Sequence, residues 1–532
     1  MRTISGPSGE VVVVGAGLAG LAAALHLAGR GRAVTVVERE AVPGGRAGRL
    51  DAGGYRIDTG PTVLTMPDII EDAFAAVGES AAGRLDLVRI EPAYRALFAD
   101  GSALDVHTDA DAMTDAVARF AGPSEADGYR RLRAWLTALY EAEFGRFIAA
   151  NADSPLSLAG PTLARLAAMG AFGRLEPAIG RFLRDERLRR VFTFQSLYAG
   201  QSPQRALALY AVIAYMDTVA GVYFPRGGMR ALPDALAAAA AAAGVTFRYG
   251  SPVTALERSG ARVRAVRTAD GERIGCDAVV LATELATAYR LLGRAPRRPV
   301  ALRPSPSAVV VHVGARRRWP AAAHHTIAFG GAWRETFREI IDAGQPMSDP
   351  SLLVTRPTAT DPGLAPPGRD LLYVLAPAPN LAAGAVKRGK GTRGQAAGEG
   401  TDWDAVAGEY AGRLIAAVAD RVLPGLGADA EILRVVTPAD WARQGLVAGT
   451  PFSYAHTFWQ TGPFRPGNLP SGTENAVLAG CGTVPGVGVP TALVSGRLAA
   501  DRVTGVTGRP GRARASRAQL ASPGAPARTV VS

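Results

Sequence analysis

The residues best suited to chemistry form a glycine-rich turn near the N-terminus. Glycines recur at Gly15, Gly17 and Gly20, between a valine run at 11–14 and a leucine- and alanine-rich run at 21–28. In this pattern the first glycine permits a tight turn, the second lets the backbone approach a pyrophosphate, and the third lets the helix pack on the sheet. The helix N-terminus offers unpaired N–H groups to phosphate oxygens. The spacing therefore predicts a dinucleotide-binding turn.

An acidic residue, Glu38, closes the next predicted strand at 33–37. It follows the glycine turn by about twenty residues, the spacing at which such an acid accepts hydrogen bonds from ribose hydroxyls. Its charge would repel a 2′-phosphate. An accidental glycine- and alanine-rich helix start does not explain this acid. Strand, turn, helix, strand and acid together predict a βαβ nucleotide-binding unit.

The composition is that of a globular protein with a large core. The chain has 532 residues, of which 48% are hydrophobic and 20% charged. Such a chain holds two or three domains or one large discontinuous one, and it is not collagenous or wholly disordered. Two cysteines are too few for a disulfide framework or a four-ligand zinc site. The uncharged runs at 11–29 and 476–496 contain glycines or prolines that would break a membrane-spanning helix.

Basic residues concentrate in two segments. The net charge is +12, and residues 508–532 carry five arginines and no acid. We expect a mobile basic insertion at 384–402 and a disordered basic tail at 508–532. No basic segment is interleaved with aromatic residues, so nucleic acid is not an expected partner. Anionic membrane lipid is the better candidate.

The remaining pattern predicts mixed α/β structure around a helical middle. Helical texture dominates from 104 to 220, and α/β character returns from 227 to 283. A hairpin is predicted for 263–275 around an Asp-Gly turn. Buried runs at 308–314 and 371–376 predict strands of a second sheet.

Further segments carry a resemblance to a known family. They include 43–48 (PGGRAG), 58–63 (DTGPTV), 192–197 (FTFQSL), 221–228 (GVYFPRGG) and 479–490 (AGCGTVPGVGVP). In this order they resemble the flavoprotein superfamily of amine oxidases and carotenoid desaturases, and within it the bacterial-type phytoene desaturases. The similarity extends from about residue 10 to 505.

The resemblance implies FAD rather than NAD and an amine oxidase-like α/β fold. That fold is a Rossmann-type FAD-binding domain with a discontinuous substrate domain of mixed sheet and helices. We expect the FAD-binding domain at 10–80, 222–300 and 465–505, and the substrate and membrane-associated domain at 81–221 and 301–464. The segment at 479–490 is implied to close over the flavin, while the helix after it packs on the Rossmann unit.

The cofactor-binding residues expected from the glycine pattern and the resemblance form one set. They are Gly15, Ala16, Gly17, Leu18, Ala19, Gly20, Glu38, Gly44, Gly45, Arg46, Gly60, Pro61, Thr62, Val253, Gly480, Gly482, Thr483 and Val489. Arg46 would offer charge to a phosphate or to a flavin-ring oxygen.

The implied substrate is a carotenoid hydrocarbon, most simply phytoene, dehydrogenated stepwise toward neurosporene or lycopene by hydride transfer to flavin N5. A hydrocarbon without a polar group gains affinity only by burying apolar surface, at about 25 cal/mol per Å². We therefore expect an apolar tunnel that opens at the inner face of the cell membrane, to which this cytoplasmic protein binds peripherally. Oxygen or a quinone would reoxidise the flavin.

Two polar features require an interpretation beside this chemistry. Asp217 is the candidate for the catalytic base, and the alternative is an exposed acid at a helix end. His324 and His325 suggest a metal, but neighbours on a strand point to opposite faces. We therefore predict no metal there, and a role in packing or beside the flavin or tunnel.

Residues 157–184 combine apolar positions with arginines and predict a basic amphipathic helix pair. The pair lies either on a membrane surface or against its own substrate domain. Alternatives to the phytoene hypothesis are another carotene desaturase or a ketolase, an amine oxidase with an aromatic cage, and a flavin-bearing membrane-surface protein without turnover.

Overall fold

The computed structural model describes residues 1–295, 298, 300–383 and 401–506. The predicted tail at 508–532, and the predicted insertion at 384–402 apart from its last two residues, lie outside the described residues.

Strands and helices alternate along the chain. The strands are β1 (Glu10–Val14), β2 (Ala33–Val37), β3 (Arg49–Ala52), β4 (Tyr55–Asp58), β5 (Leu64–Thr65), β6 (Leu87–Arg89), β7 (Tyr94–Leu97), β8 (Ala103–Val106), β9 (Val222–Pro225), β10 (Thr246–Arg248), β11 (Val253–Ser259), β12 (Arg262–Thr268), β13 (Arg273–Gly275), β14 (Ala278–Leu281), β15 (Ser307–Ala315), β16 (His325–Ala328), β17 (Leu352–Thr355), β18 (Asp370–Ala378), β19 (Ala430–Val436) and β20 (Ala476–Leu478). The α-helices are α1 (Leu18–Ala28), α2 (Pro67–Ala75), α3 (Ala110–Ala121), α4 (Pro123–Glu143), α5 (Pro161–Ala168), α6 (Leu175–Gly180), α7 (Glu186–Val191), α8 (Ala211–Tyr215), α9 (Ala231–Ala242), α10 (Leu285–Leu291), α11 (Trp333–Phe337), α12 (Trp403–Arg421), α13 (Leu426–Asp429), α14 (Pro438–Arg443) and α15 (Val489–Thr504).

A parallel five-stranded sheet in the order β10-β2-β1-β14-β20 forms the centre of the nucleotide-binding unit. Its strands are almost continuously apolar because helices cover both faces of such a sheet. The predicted βαβ unit is confirmed, although α1 begins at Leu18, earlier than the predicted helix. The glycine turn therefore lies at the carboxyl end of β1, where parallel sheets bind ligands.

Two helices pack closely on each other beside this sheet. A Cβ atom at Gly496 of α15 would lie 2.2 Å from the carbonyl oxygen of Ala19 in α1. Only glycine allows this approach. The helix predicted to follow the 479–490 segment therefore packs on the Rossmann unit, as expected.

A second, seven-stranded mixed sheet has the order β19-β15-β18-β17-β16-β7-β8. The predicted strands at 308–314 and 371–376 are β15 and β18, which pair antiparallel. The predicted hairpin is β12 with β13. This sheet forms one wall of the cavity described below.

The helical middle runs from α3 to α8 and contains two π-helical turns, Phe144–Ile148 after α4 and Met216–Ala220 after α8. The amphipathic segment at 157–184 contains two short helices, α5 and α6, separated by a glycine-containing turn. Glycines there prevent a single long helix.

Candidate active site

A cavity of about 2520 Å³ extends from the glycine turn to the wall formed by the second sheet. Pockets for a single small ligand measure roughly 300–1,000 Å³. The cavity therefore has room for a dinucleotide and a long second ligand.

The glycine turn has the backbone geometry that its sequence predicts. Gly15 has a φ of +105°, and a Cβ there would lie 2.8 Å from the carbonyl oxygen of Ala282. A Cβ at Gly20 would lie 1.9 Å from the carbonyl oxygen of Gly15, so a side chain would force α1 away from the turn. Gly15, Gly17, Leu18 and Ala19 line the cavity.

Glu38 is buried at the end of β2 and lines the cavity. Its Oε2 atom accepts a hydrogen bond from the Ala16 N–H at 2.6 Å, and its Oε1 atom accepts one from the Glu40 N–H at 3.0 Å. A carboxylate has about four acceptor positions. The two that remain suit the hydroxyls of a ribose, and the bonded positions fix the orientation of the group.

The loop after β2 crosses close to the glycine turn. The Gly44 N–H donates to the carbonyl oxygen of Ala16 at 2.9 Å. A Cβ at Gly45 would lie 3.2 Å from the Cα atom of Gly17. Arg46 forms an ion pair with Glu284, and both side chains line the cavity.

Most of the predicted cofactor residues lie on the cavity wall, and four do not. Gly60, Pro61, Thr62, Val253, Gly480 and Val489 line the cavity with those already described. Ala16 and Gly20 lie behind the turn. A Cβ at Gly482 would lie 2.7 Å from the Cβ atom of Leu285, and the Thr483 hydroxyl donates to the carbonyl oxygen of Pro466 at 2.7 Å. These four residues shape the wall through the backbone.

Arg465 is a buried side chain to which sequence reasoning assigned no role. Its guanidinium donates to the carbonyl oxygens of Thr483 at 2.9 Å and Cys481 at 2.5 Å. Burial lowers its pKa to about 10. It lies within the stretch over which the family resemblance extends, but only the tertiary structure shows that it anchors the turn at 481–483.

The remainder of the cavity wall is largely apolar and comes from several elements. It includes Leu163, Leu166, Phe172, Phe194, Leu197, Leu207, Leu209, Val212, Ile213, Met216, Ile327, Phe329, Trp333, Leu352, Leu353 and Leu375. Such a wall binds a ligand by removing its apolar surface from water. The predicted apolar site is thus continuous with the glycine turn.

Asp217 lies in this apolar wall within the Met216–Ala220 turn. It is 5% exposed, so the alternative of an exposed acid at a helix end is wrong. Its Oδ2 atom lies 3.4 Å from Nε2 of Gln195, while Oδ1 has no hydrogen-bond partner in the described part of the chain. Burial raises the pKa of this carboxyl to about 8.

A second buried acid in the wall, Glu143, was missed by sequence reasoning. It ends α4 and lines the cavity. Burial raises its pKa to about 8 as well. No motif surrounds it, and its apolar environment is created by residues distant in sequence, so the sequence gives no signal for it.

The structure contradicts the prediction that the two adjacent histidines point to opposite faces of a strand. The rings of His324 and His325 were expected on opposite faces of a strand, but their centroids are 4.5 Å apart. The reason is that β16 begins at His325, so the alternation of a regular strand does not apply to His324. Each ring binds a threonine hydroxyl through Nδ1, at 2.6 Å and 2.9 Å, and neither lines the cavity.

Within the residues described, no group of three or more His, Cys, Asp or Glu side chains is arranged to hold a metal ion. A helix long and apolar enough to cross a bilayer is likewise absent from 1–295, 300–383 and 401–506.

Comparisons with known proteins identify the family of this chain. The model of the flavin-containing amine oxidoreductase family matches residues 18–396 and 402–504. The chain is 65% identical to a phytoene dehydrogenase of Streptomyces griseus over 505 residues, which are 95% of this chain and 97% of the relative. It is 36% identical to a zeta-carotene-forming phytoene desaturase of Myxococcus xanthus, over 93% of each chain. The structure of a cyclohexylamine oxidase from Brevibacterium oxydans superposes with a TM-score of 0.57 at 16% identity and covers 93% of this chain and 99% of that one.

A glycine cradle, a buried acid beside it and a large apolar cavity in this fold, together with the family match, define an FAD-dependent oxidoreductase. The chain belongs to the flavin-containing amine oxidoreductase family, in the branch of the phytoene dehydrogenases and desaturases. The predicted family, fold class and cofactor are thereby confirmed. The residues present fit FAD, because side chains at Gly15 or Gly20 would collide with the backbone of the cradle.

Proposed function

We propose that this chain dehydrogenates a carotenoid hydrocarbon, phytoene, in carotenoid biosynthesis. One observation carries the proposal: the glycine turn and Glu38 open into the same cavity as the wall of apolar side chains. A polar or charged substrate would leave this wall without function. The name of the relative from Streptomyces griseus, phytoene dehydrogenase, supports the same substrate.

The protein itself would bind and orient the substrate and exclude water from the site. Bound FAD would supply an acceptor for a hydride from the substrate. The cofactor would be held by Gly15–Gly20, Glu38, the 44–46 loop, residues 60–62, Val253 and the 480–489 turn. We propose that residues 10–80, 222–300 and 465–505 form the nucleotide-binding domain. Residues 81–221 and 301–464 would bind the substrate.

Asp217 is proposed as a proton acceptor. Dehydrogenation removes a hydride from one carbon and a proton from its neighbour, and a carboxylate in an apolar wall can take that proton. Asp217 lines the cavity and has an oxygen without a hydrogen-bond partner in the described structure. We propose repeated steps toward neurosporene or lycopene.

We also propose that the protein binds the inner face of the cell membrane, where its substrate dissolves. Large exposed apolar side chains occur at Leu156 (84% exposed), Phe172 (42%), Phe458 (46%) and Trp459 (54%). We call these four residues the apolar rim. Phe172 and Phe458 also line the cavity.

The two halves of the apolar rim are joined through one short segment. The Leu209 N–H donates to the carbonyl oxygen of Ala171 at 2.7 Å, and the Tyr210 hydroxyl lies 2.6 Å from the Thr461 hydroxyl. Residues 154–175, which include Leu156 and Phe172, contain Arg165 and Arg174 and no acid. Exposed aromatic side chains with nearby cationic charge suit an anionic lipid surface.

The decisive test is anaerobic mixing of the FAD-loaded protein with phytoene in liposomes. We expect the oxidised flavin absorbance to bleach and a desaturated carotene to be extracted. Bleaching by amines but not by phytoene would identify an amine oxidase, and no bleaching would identify a binder without turnover. An oxygenated product in air would identify a ketolase. Reoxidation of the reduced protein by oxygen or by a quinone, compared in the same apparatus, identifies the electron acceptor.

Flotation with anionic liposomes tests the membrane proposal. Trp459→Asp should reduce the floated fraction, because it removes an interfacial aromatic and adds a repelled charge. Ile432→Asp is the matched control, since Ile432 is an exposed apolar residue outside the rim. Equal flotation of the wild type and Trp459→Asp would contradict the role of the rim.

A further inference from the structure

Glu143 differs from the other buried acids of this protein. Among the seven buried acidic side chains of the described residues, it alone has no hydrogen bond or ion pair. The other six each accept at least one hydrogen bond: Glu38, Glu125, Asp217, Glu339, Asp370 and Asp501. Fold stability therefore does not explain an acid at this position.

The place of Glu143 in the fold resembles that of Asp217. Glu143 directly precedes the π-helical turn Phe144–Ile148, and Asp217 lies in the π-helical turn Met216–Ala220. π-Helical turns occur frequently at functional sites. Both acids line the same cavity, from different helices.

Burial is the only cause that raises the pKa of Glu143 to about 8, with no charged neighbour contributing. An unpaired acid in an apolar wall costs folding free energy, since neither its charged nor its neutral form is solvated there. Strongly perturbed acids in clefts are candidates for functional groups. The side chain is 6% exposed, and its Oε2 atom is among the buried atoms without a partner in the described structure.

Polar groups in the same cavity wall lead to the turn predicted to cover the flavin. Glu143, Tyr210, His456 and Val487 all line the cavity. The Tyr210 hydroxyl lies 3.0 Å from Nδ1 of His456, whose Nε2 atom accepts from the Val487 N–H at 3.5 Å. Asp217 lies instead beside Gln195.

We propose that Glu143 is a further catalytic residue, a second carboxylate beside Asp217 that accepts the proton lost from the substrate during dehydrogenation; this rests on the proposed function. One C–H bond of the substrate breaks with its electron pair leaving as hydride to the bound flavin. The neighbouring C–H bond breaks, its two electrons become the new C=C π bond, and its proton passes to a carboxylate oxygen of Glu143. The substrate is oxidised by two electrons and the flavin is reduced by two.

The test compares Glu143→Gln, Glu143→Asp and Asp217→Asn in FAD-loaded protein, by single-turnover reduction with phytoene in liposomes under anaerobic conditions. General acid–base groups contribute about 10²–10⁴-fold to rate. We expect Glu143→Gln to retain FAD and to be reduced more slowly than the wild type, and the double variant with Asp217→Asn to be reduced about 10²-fold more slowly. Glu143→Asp should recover part of the rate. Glu141→Gln, two residues earlier and exposed, is the matched control and should react like the wild type.

A second measurement does not depend on turnover. The infrared C=O band of protonated carboxylic acids at pH 7 should lose one component in Glu143→Gln, and that component should titrate near pH 8. The pH–rate profile of Asp217→Asn should still rise toward about pH 8, and the profile of the double variant should not. Tyr210, His456 and Arg465 are the other titratable groups along this side and stay unchanged in all variants.

The outcomes separate the two proposals. A wild type that phytoene cannot reduce would overturn the proposed function. A wild type that is reduced, with Glu143→Gln reduced at the same rate, would overturn only the role of Glu143. Loss of FAD from Glu143→Gln, with no slow reduction in Glu143→Asp, would show a supporting role and would also overturn it.

Discussion

The acidic side chains at the two ends of the cavity differ in their hydrogen bonding. At the glycine turn, Glu38 receives two backbone hydrogen bonds, so its orientation is fixed before any ligand binds. At the apolar wall, Glu143 has no hydrogen-bond partner among the described residues and Asp217 has one long contact. The first arrangement suits recognition of a polar ligand with fixed geometry. The second suits proton transfer, because an unsolvated carboxyl with a pKa near neutrality exchanges protons readily.

Glu38→Arg should abolish FAD binding at the nucleotide end of the cavity. The substitution removes the acceptor, places a cation beside the Ala16 N–H and leaves two backbone donors unsatisfied. We expect the purified variant to be colourless, measured by flavin absorbance per polypeptide. Glu141→Arg, at an exposed position that does not line the cavity, is the control and should remain yellow. A Glu38→Arg protein with a full complement of FAD would contradict the assignment.

Asp217→Asn should affect the other end without affecting FAD retention. Loss of one of the two proposed proton acceptors is expected to slow reduction by phytoene, and loss of both by about 10²-fold. The FAD content should match the wild type, because Asp217 lies outside the predicted cofactor set. Unchanged single-turnover kinetics would remove Asp217 from the mechanism.

Gly20→Ala tests whether the nucleotide end of the cavity requires the close contact between α1 and the glycine turn. Its Cβ would lie 1.9 Å from the Gly15 carbonyl oxygen. Overpacking of this kind costs about 1–3 kcal/mol of unfolding free energy, measured by urea denaturation. Gly408→Ala in α12 meets nothing within 4 Å and should instead stabilise by up to about 1 kcal/mol. Equal stability of the two variants would show that the turn tolerates a side chain.

The pH dependence of stability tests the burial of the two acids in the apolar wall. Burial raises the pKa of Asp217 from 3.8 and that of Glu143 from 4.5, both to about 8. Below pH 3.8 for Asp217 and pH 4.5 for Glu143, the carboxyl is protonated in both the folded and the unfolded state. As the pH rises toward 8 only the unfolded chain releases the protons, so stability falls by up to about 1.4 kcal/mol per pH unit per acid and then levels off.

Glu143→Gln and Asp217→Asn should each flatten this slope in denaturation experiments between pH 5 and about pH 8. The exposed Glu141 again provides the control substitution. A steeper slope in either variant would contradict the burial that both values depend on.

Local spacing predicted the nucleotide end well. The βαβ unit, the glycine turn and the position of Glu38 follow from short-range rules, because a tight turn and a helix start are fixed by neighbouring residues. The two strands of the second sheet and the hairpin were also predicted from their patterns. The contact between the rings of His324 and His325 was not predicted, because the start of β16 depends on its partner strand β17.

The sequence alone predicted the class of ligand at one end of the cavity, since glycines and one acid at set distances along the chain are typical of dinucleotide binding. Only the tertiary structure decided which acids line the apolar wall. The pKa of Glu143 and of Asp217 depends on exclusion of water by side chains from several distant helices and strands. Arg465 shows the same limit, because its partners at 481 and 483 meet it only in the folded chain.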